Sequence, residues 1–224
     1  MIQPKETIYG SYNRYKWFKK FLNKDQKIID LGCGTGSMIT IPLIAEGYDI
    51  LGLDLDQKSI NYGKQLLEKN KLNTDLLACF DFATISFVPD VVILSEVLEH
   101  IKTGELEQII SLVFKKLKPG GLLLITVPNG YGIFEWESFL WYKLKLGKLL
   151  EKLYIVETIV IIKNKLIGDW IEDHPSSLDT SGHVQRFTYN SLEKLLHNSG
   201  FVTKENNWWH IYKWTIEQSF FHRI

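Results

Sequence analysis

The sequence predicts an α/β chain built on a doubly wound, mostly parallel sheet. Short β-branched runs alternate with amphipathic helical stretches from residue 27 onward. One run, Val91-Val92-Ile93-Leu94, is apolar at every position, as a central parallel strand must be when helices cover both faces. The first run ends in a glycine-rich turn that opens a helix, the place where such sheets bind ligands.

The elements follow in order. Tyr9, Tyr12, Tyr15, Trp17, Phe18 and Phe21 mark an aromatic amino-terminal helix within residues 1–26. Residues 27–31 form the first strand and stop at glycine. A helical stretch over 37–46 follows, with Pro42 awkwardly inside it. Residues 48–53 are the second strand. Residues 57–70 read as an amphipathic helix, with Ile60, Gly63, Leu66 and Leu67 at helical spacing and Asp56 or Ser59 able to cap it. Strands three and four lie at 76–79 and 91–94. Residues 105–117 carry an apolar helical stripe that ends at Pro119-Gly120-Gly121. Residues 122–127 are the fifth strand and 188–199 a further helix ahead of Gly200. Residues 201–212 form one or two more strands, and only 213–224 remain for a short last one.

Residues 130–182 break this rhythm. Structureless loops of such length are uncommon, so an inserted helical lid or subdomain is expected, flanked by a main domain of 27–129 and 183–224. Trp136, Phe139, Leu140, Trp141, Leu144 and Leu146 lie there among Lys143, Lys145 and Lys148. This reads as a lid helix packed on its own domain, or as an amphipathic face in peripheral contact with a membrane; the lid is favoured. Residues 155–166 suit a helix or a strand.

Composition sets the outer bounds. The chain has 224 residues, 45% hydrophobic and 23% charged, which excludes a disordered chain. A domain of this size buries about 70% of its extended surface without a disulfide or metal staple. Twenty-six Lys and Arg balance twenty-six Asp and Glu, so the electrostatic pull of a dedicated nucleic-acid binder is missing and no nucleic-acid partner is expected. Cys33 and Cys79 are too few for a disulfide framework. No leader-like apolar segment follows Met1, and no apolar run approaches the roughly 20 residues of a spanning helix. A cytoplasmic protein is expected.

The chemistry gathers at the strand ends. Asp30-Leu31-Gly32-Cys33-Gly34-Thr35-Gly36 follows strand one. Its G-x-G-x-G spacing departs from the dinucleotide fingerprint, whose last glycine would fall at Ser37, and that argues against NAD. Asp54 closes strand two, about 20 residues on, where an acid can bind ribose hydroxyls. Asp81 and Phe82 follow strand three, and Ser95-Glu96-Val97-Leu98-Glu99-His100 follows strand four. All therefore face one rim of the sheet.

As an ordered set, Asp30–Gly36, Asp54, Asp81, Ser95–His100 and Pro119-Gly120-Gly121 resemble the class I S-adenosylmethionine-dependent methyltransferases, in particular the branch with the ubiquinone-biosynthesis O-methyltransferases. The resemblance covers about residues 27–129 and resumes at 182–201. It implies a Rossmann-like, seven-stranded sheet that ends in a strand hairpin. It implies S-adenosylmethionine as cofactor and S-adenosylhomocysteine as product. By resemblance the cofactor-binding residues are Asp30, Gly32, Cys33, Gly34, Gly36, Asp54, Leu55, Asp81, Phe82 and Ser95. Among them Asp54 holds the ribose, Asp81 lies near the adenine amino group and Phe82 forms an adenine wall. Asp30 is either a contact to the ammonium tail or a cap of the loop. Tyr9 or Arg14 can reach the cofactor carboxylate or the substrate from the aromatic helix.

A hydroxyl nucleophile needs a base near working pH, which suits His100 or His183, with Glu96 and Glu99 able to orient either ring. No Asn/Asp-Pro-Pro-aromatic stretch follows strand four, which weakens a nucleic-acid N-methylating activity. No metal is expected. O-methylation of a small or lipid- or glycan-linked metabolite is the expected reaction. The alternatives are an NAD-dependent Rossmann oxidoreductase and a non-catalytic cofactor-binding scaffold.

Overall fold

The structure, a computed structural model, describes residues 11–128, 184–211 and 214–223. Its parallel strands are β1 (Lys27–Leu31), β2 (Asp49–Asp54), β3 (Leu77–Cys79), β4 (Val91–Ser95) and β5 (Leu122–Pro128). Two more, β6 (Phe201–Ile211) and β7 (Trp214–Arg223), complete a sheet of seven strands among the described residues, in the order β3-β2-β1-β4-β5-β7-β6. β7 runs antiparallel to both of its neighbours.

Two-residue periodicity sorts the strand side chains between two cores. Ile29, Val92, Leu94, Leu123 and Ile125 pack with Leu106, Ile110 and Val113 of α4 (Thr103–Lys116) and with Leu192 and Leu196 of α5 (Tyr189–Asn198). Ile28, Ile50, Val91, Ile93 and Leu124 face the other way. There they meet Tyr15, Trp17 and Phe18 of α1 (Ser11–Lys19), Ile41, Leu43 and Ile44 of α2 (Thr40–Ala45), and Ile60 and Leu67 of α3 (Gln57–Lys69). All four apolar residues of β4 are fully buried, as expected of a strand covered on both faces.

Local chemistry fixes the helix starts. The Asp56 side chain accepts from the Lys58 and Ser59 amides, so Asp56 is the cap of α3. Thr188 and Ser191 form a reciprocal capping box at α5.

Two expectations need correction. The helix expected over 37–46 is shorter, Thr40–Ala45. Pro42 lies in its first turn, where backbone N–H groups have no partner within the helix and a missing one costs little. The last strand is not short. β7 runs ten residues because it finds hydrogen-bonding partners on both sides, from Leu122↔His222 to Pro128↔Ile216 on β5 and all along β6. Residues 201–211 form one strand, with a register shift between Thr203 and Glu205. The insertion and its lid or membrane-facing reading lie outside the described residues. Among those described, no helix is long and apolar enough to cross a membrane.

Candidate functional site

β1 delivers the chain into a turn at the carboxyl edge of the sheet. Gly32, Gly34 and Gly36 take φ values of +78°, +56° and +71°, a region that side chains disfavour. Their surroundings differ. A Cβ on Gly32 would lie 2.7 Å from Val97 Cγ2, and one on Gly36 would lie 2.9 Å from Leu77 Cδ2. A Cβ on Gly34 would meet nothing within 4 Å. The outer two glycines press the loop onto the protein, and the middle one presents bare backbone to open space. Leu77 is the floor of this arrangement: it would also meet a Cβ at Gly52, 2.5 Å away, and at Gly63, 2.7 Å away.

Asp54 closes β2 beside that loop. Its Oδ2 accepts from the Gly34 amide at 2.7 Å and its Oδ1 from the Asp56 amide at 2.8 Å. A carboxylate offers about four acceptor positions, so about two remain for a ligand with hydroxyl donors. Asp30 is buried and accepts from Thr40 Oγ1 at 2.6 Å, which ties β1 to α2. Burial pushes its acid up to about 6, with Asp54 adding to the rise and the Thr40 bond opposing it. Cys33 is half-buried. Desolvation, with Asp30 and Asp54 nearby, pushes its thiol well above the ordinary range, so it stays protonated and is no nucleophile.

The residues fit S-adenosylmethionine on two counts. The open backbone at Gly34 suits a ligand that must come close, and the spare acceptor positions of Asp54 suit a ribose diol. This loop also lacks the third glycine of a pyrophosphate cradle, and S-adenosylmethionine has no pyrophosphate.

The β2–β3 edge departs from expectation at one residue. Leu55 is 79% exposed, and Asp81 uses its carboxylate to accept from the Ala83 amide at 2.8 Å. Phe82, expected as an adenine wall, is 4% exposed and packs into the core with Ile29, Leu53 and Ile85. Phe80, at 48%, is the aromatic ring this edge shows to solvent. Neither ring lies in a strand: Phe80 follows the end of β3 at Cys79, and Phe82 begins a 3-10 turn over Phe82–Thr84 capped by Asp81.

β4 ends at Ser95, whose hydroxyl lies 3.2 Å from Thr126 Oγ1 and 3.5 Å from Arg14 Nη1. Arg14 is buried and pairs with Glu96 across 3.3 Å. Glu96 has φ +57°, and its amide donates to the Thr126 carbonyl. Glu99 is buried beneath it, and His100 Nε2 stands 4.0 Å from Glu99 Oε1, beyond hydrogen-bond reach. His183 lies outside the described residues. The two residues after it, Val184 and Gln185, donate their amides to the Glu99 carbonyl at 2.9 and 3.2 Å, and the Gln185 side chain donates to the Ile101 carbonyl. The structure thus joins the glycine loop to Asp54 and, through Val97, to the Ser95–His100 segment. The Arg14–Glu96–Glu99 grouping was not foreseen. The three-residue step from Glu96 to Glu99, which puts both on one side of a turn, was its only sequence signal.

Comparisons with known proteins place the chain in a family. The family described as a methyltransferase domain matches residues 11–206. A putative methyltransferase of Bacillus subtilis, YqeM, is 25% identical over 194 residues, covering 83% of this chain and 77% of that protein. The ubiquinone biosynthesis O-methyltransferase of Rickettsia akari is 32% identical over 125 residues, 55% of this chain and 46% of the relative. Its mitochondrial counterpart in Rattus norvegicus is 31% identical over 200 residues, 71% of this chain and 53% of the relative. The chain therefore spans about half the length of these two relatives. Among solved structures, magnesium protoporphyrin IX methyltransferase from Synechocystis with bound SAH superposes with a TM-score of 0.64 at 18% identity, covering 96% of this chain and 81% of the other. The chain belongs to the class I S-adenosylmethionine-dependent methyltransferase family.

Proposed function

We propose that the protein transfers a methyl group from S-adenosylmethionine to a hydroxyl of a small or lipid- or glycan-linked metabolite. The observation that carries the reading is the pairing of Gly34, open on its ligand side, with Asp54, whose carboxylate keeps acceptor capacity beside it. The relatives named as O-methyltransferases support oxygen as the methylated atom. The apolar residues of 136–146 support an acceptor with apolar surface.

When bound, S-adenosylmethionine supplies an electrophilic methyl group on a sulfonium, already a good leaving group. The protein's task is mainly to position the nucleophile, which can lower the barrier by about 7–11 kcal/mol. In this reading the glycine loop and Asp54 fix the cofactor, and Leu55 and Asp81 bound its adenine side. The Ser95–His100 segment faces the acceptor. The proposed base is the imidazole of His100 or of His183, of which only His100 lies among the described residues.

The test begins with thermal denaturation in the presence of S-adenosylmethionine, S-adenosylhomocysteine or NAD. A ligand at about 100 times its Kd adds about 2.7 kcal/mol, which is roughly 5–10 °C for a chain of this size. A rise with both adenosyl compounds and none with NAD is expected. Labelled methyl transfer to a panel of phenols and lipid-linked alcohols follows. A rise with NAD alone would overturn the proposal, as would binding without transfer to any hydroxyl.

A further inference from the structure

The turn that carries His100 is short and holds itself poorly. It is a single 3-10 turn, Leu98–His100, entered through Glu96 at φ +57° and Val97, which makes no side-chain capping bond. Such a turn closes few hydrogen bonds of its own. The His100 amide donates to the Val97 carbonyl at 3.1 Å and the Ile101 amide to the Leu98 carbonyl at 3.2 Å. The carbonyls at its far end need partners from elsewhere.

Distant chain supplies them. The Glu99 carbonyl accepts from the Val184 amide at 2.9 Å and from the Gln185 amide at 3.2 Å. The Ile101 carbonyl accepts from Gln185 Nε2, 84 positions away in the chain. A carbonyl only accepts, so the side-chain end that faces it is the NH2 end. Gln185 thus grips two carbonyls, one through its backbone and one through its side chain, and His100 lies between them. Ile101, the other residue in that span, already packs against the core, so the grip acts chiefly on His100.

The gripping segment is itself anchored. Phe187, two residues on, is buried in the core that α4 and α5 share, and Thr188 opens α5 with its capping box. Val184, on the other side of Gln185, is 59% exposed, so its side chain adds little hold. Rigid packing therefore ends at Phe187, and the amide bonds and the Gln185 side chain carry it from there to the turn.

We propose that Gln185 is a positioning residue of the methyl-transfer site: it clamps the turn on either side of His100 and so sets where the imidazole stands. The proposal rests on the reading that the Ser95–His100 segment faces the methyl acceptor. A group that must be in place for an in-line displacement loses rate steeply when moved, about a hundredfold for roughly 1 Å. Of the three bonds named, the Gln185 side chain supplies one. Its loss loosens the turn while the two amide bonds keep the segment docked. The effect belongs in kcat, because the proposed cofactor contacts, Gly34 and Asp54, take part in none of these bonds.

The experiment compares wild type with Gln185→Met, Gln185→Glu, Gln185→Lys and Thr188→Ala, with and without S-adenosylhomocysteine. Met keeps the length and removes the donor, Glu turns an acceptor toward the Ile101 carbonyl, and Lys puts a donor back. Thr188→Ala lowers stability at the same segment without touching the grip. The chain has six histidines, and in a carbon–proton NMR spectrum of carbon-labelled histidine the His100 ring signal is assigned with His100→Ala. That signal should shift or broaden in Gln185→Met and Gln185→Glu, sharpen again in Gln185→Lys, and stay as in wild type in Thr188→Ala. With an acceptor from the panel of phenols and lipid-linked alcohols, kcat should fall about ten- to a hundredfold in Gln185→Met and Gln185→Glu. KM and affinity for S-adenosylhomocysteine should hold, and Gln185→Lys should recover most of the lost rate. An unmoved His100 signal in Gln185→Met would overturn the proposal. So would an unchanged kcat in that variant, or an equal loss in Thr188→Ala, which would mean general loosening rather than a clamp. A wild type that binds no S-adenosylhomocysteine would overturn the methyltransferase reading instead, and the His100 signals of the unliganded proteins would still decide whether the clamp exists.

Discussion

Replacing Gly34 with alanine separates the stability of the cofactor loop from its binding role. The residue sits at φ +56°, where a side chain costs about 1–2 kcal/mol. A Cβ there meets nothing within 4 Å, so no steric cost is added. For a chain of this size the melting temperature should fall by roughly 2–8 °C. The new methyl would stand on the side left open for ligand, beside the amide that anchors Asp54. The Kd for S-adenosylhomocysteine should therefore rise at least about tenfold, equivalent to about 1.4 kcal/mol. Gly63→Ala is the contrasting variant. Its Cβ would lie 2.3 Å from the Thr35 carbonyl oxygen, a backbone atom that cannot step aside. Such overpacking costs about 1–3 kcal/mol or more and should appear first as lost stability. Calorimetric melting and titration calorimetry on both variants decide. Unchanged affinity in Gly34→Ala would refute the claim that the open face of the loop is the ligand face.

Three further outcomes follow from the same geometry. Asp54→Asn removes the charge that remains available to a ribose diol, and hydrogen bonds to charged groups contribute about 1.5–3 kcal/mol; titration calorimetry should show affinity for S-adenosylhomocysteine falling by roughly ten- to a hundredfold. Asp30 has its acid raised from 3.8 to about 6, so the folded state holds a proton that the unfolded chain has released; this contribution is complete below pH 4 and is lost as pH climbs through 6. Asp30→Asn keeps an acceptor for Thr40 and should remove that decline, on the order of 3 kcal/mol, from urea-unfolding midpoints measured across the interval; an unchanged slope would refute it. Leu77→Ala should cost about 2–5 kcal/mol in urea and, by loosening the floor beneath Gly36, weaken S-adenosylhomocysteine binding as well.

What could be read from the sequence was what is local. Asp56 caps its helix through backbone two or three residues away, and the three glycines sit in the turn that their lack of Cβ permits. The position of Asp54 beside the glycine loop was legible because a parallel strand has one carboxyl end and one rim. Phe82 turns inward because the chain leaves β3 at Cys79 and winds into one 3-10 turn over Phe82–Thr84, which a strand pattern does not encode. The ten residues of β7 were underestimated because backbone pairing with β5 and β6, rather than side-chain pattern, sets their length. The Arg14 cluster was least legible: its guanidinium meets Ser95 from 81 residues away, and no local pattern encodes such a meeting.

That separation bears on how the chain is made. Arg14, Tyr15, Trp17 and Phe18 leave the ribosome early, yet the strand that receives them, β4, is complete only after Ser95. At 5–20 residues per second, the 81 positions between Arg14 and Ser95 take about 4–16 s to synthesise. During that interval a helix with Tyr15, Trp17 and Phe18 on its inward side has only part of its core to lie against. The nascent chain is then most exposed to aggregation and most in need of a chaperone. Slow translation across 80–95 would prolong that exposure, whereas a slow stretch after β4 has emerged would give α1 time to dock.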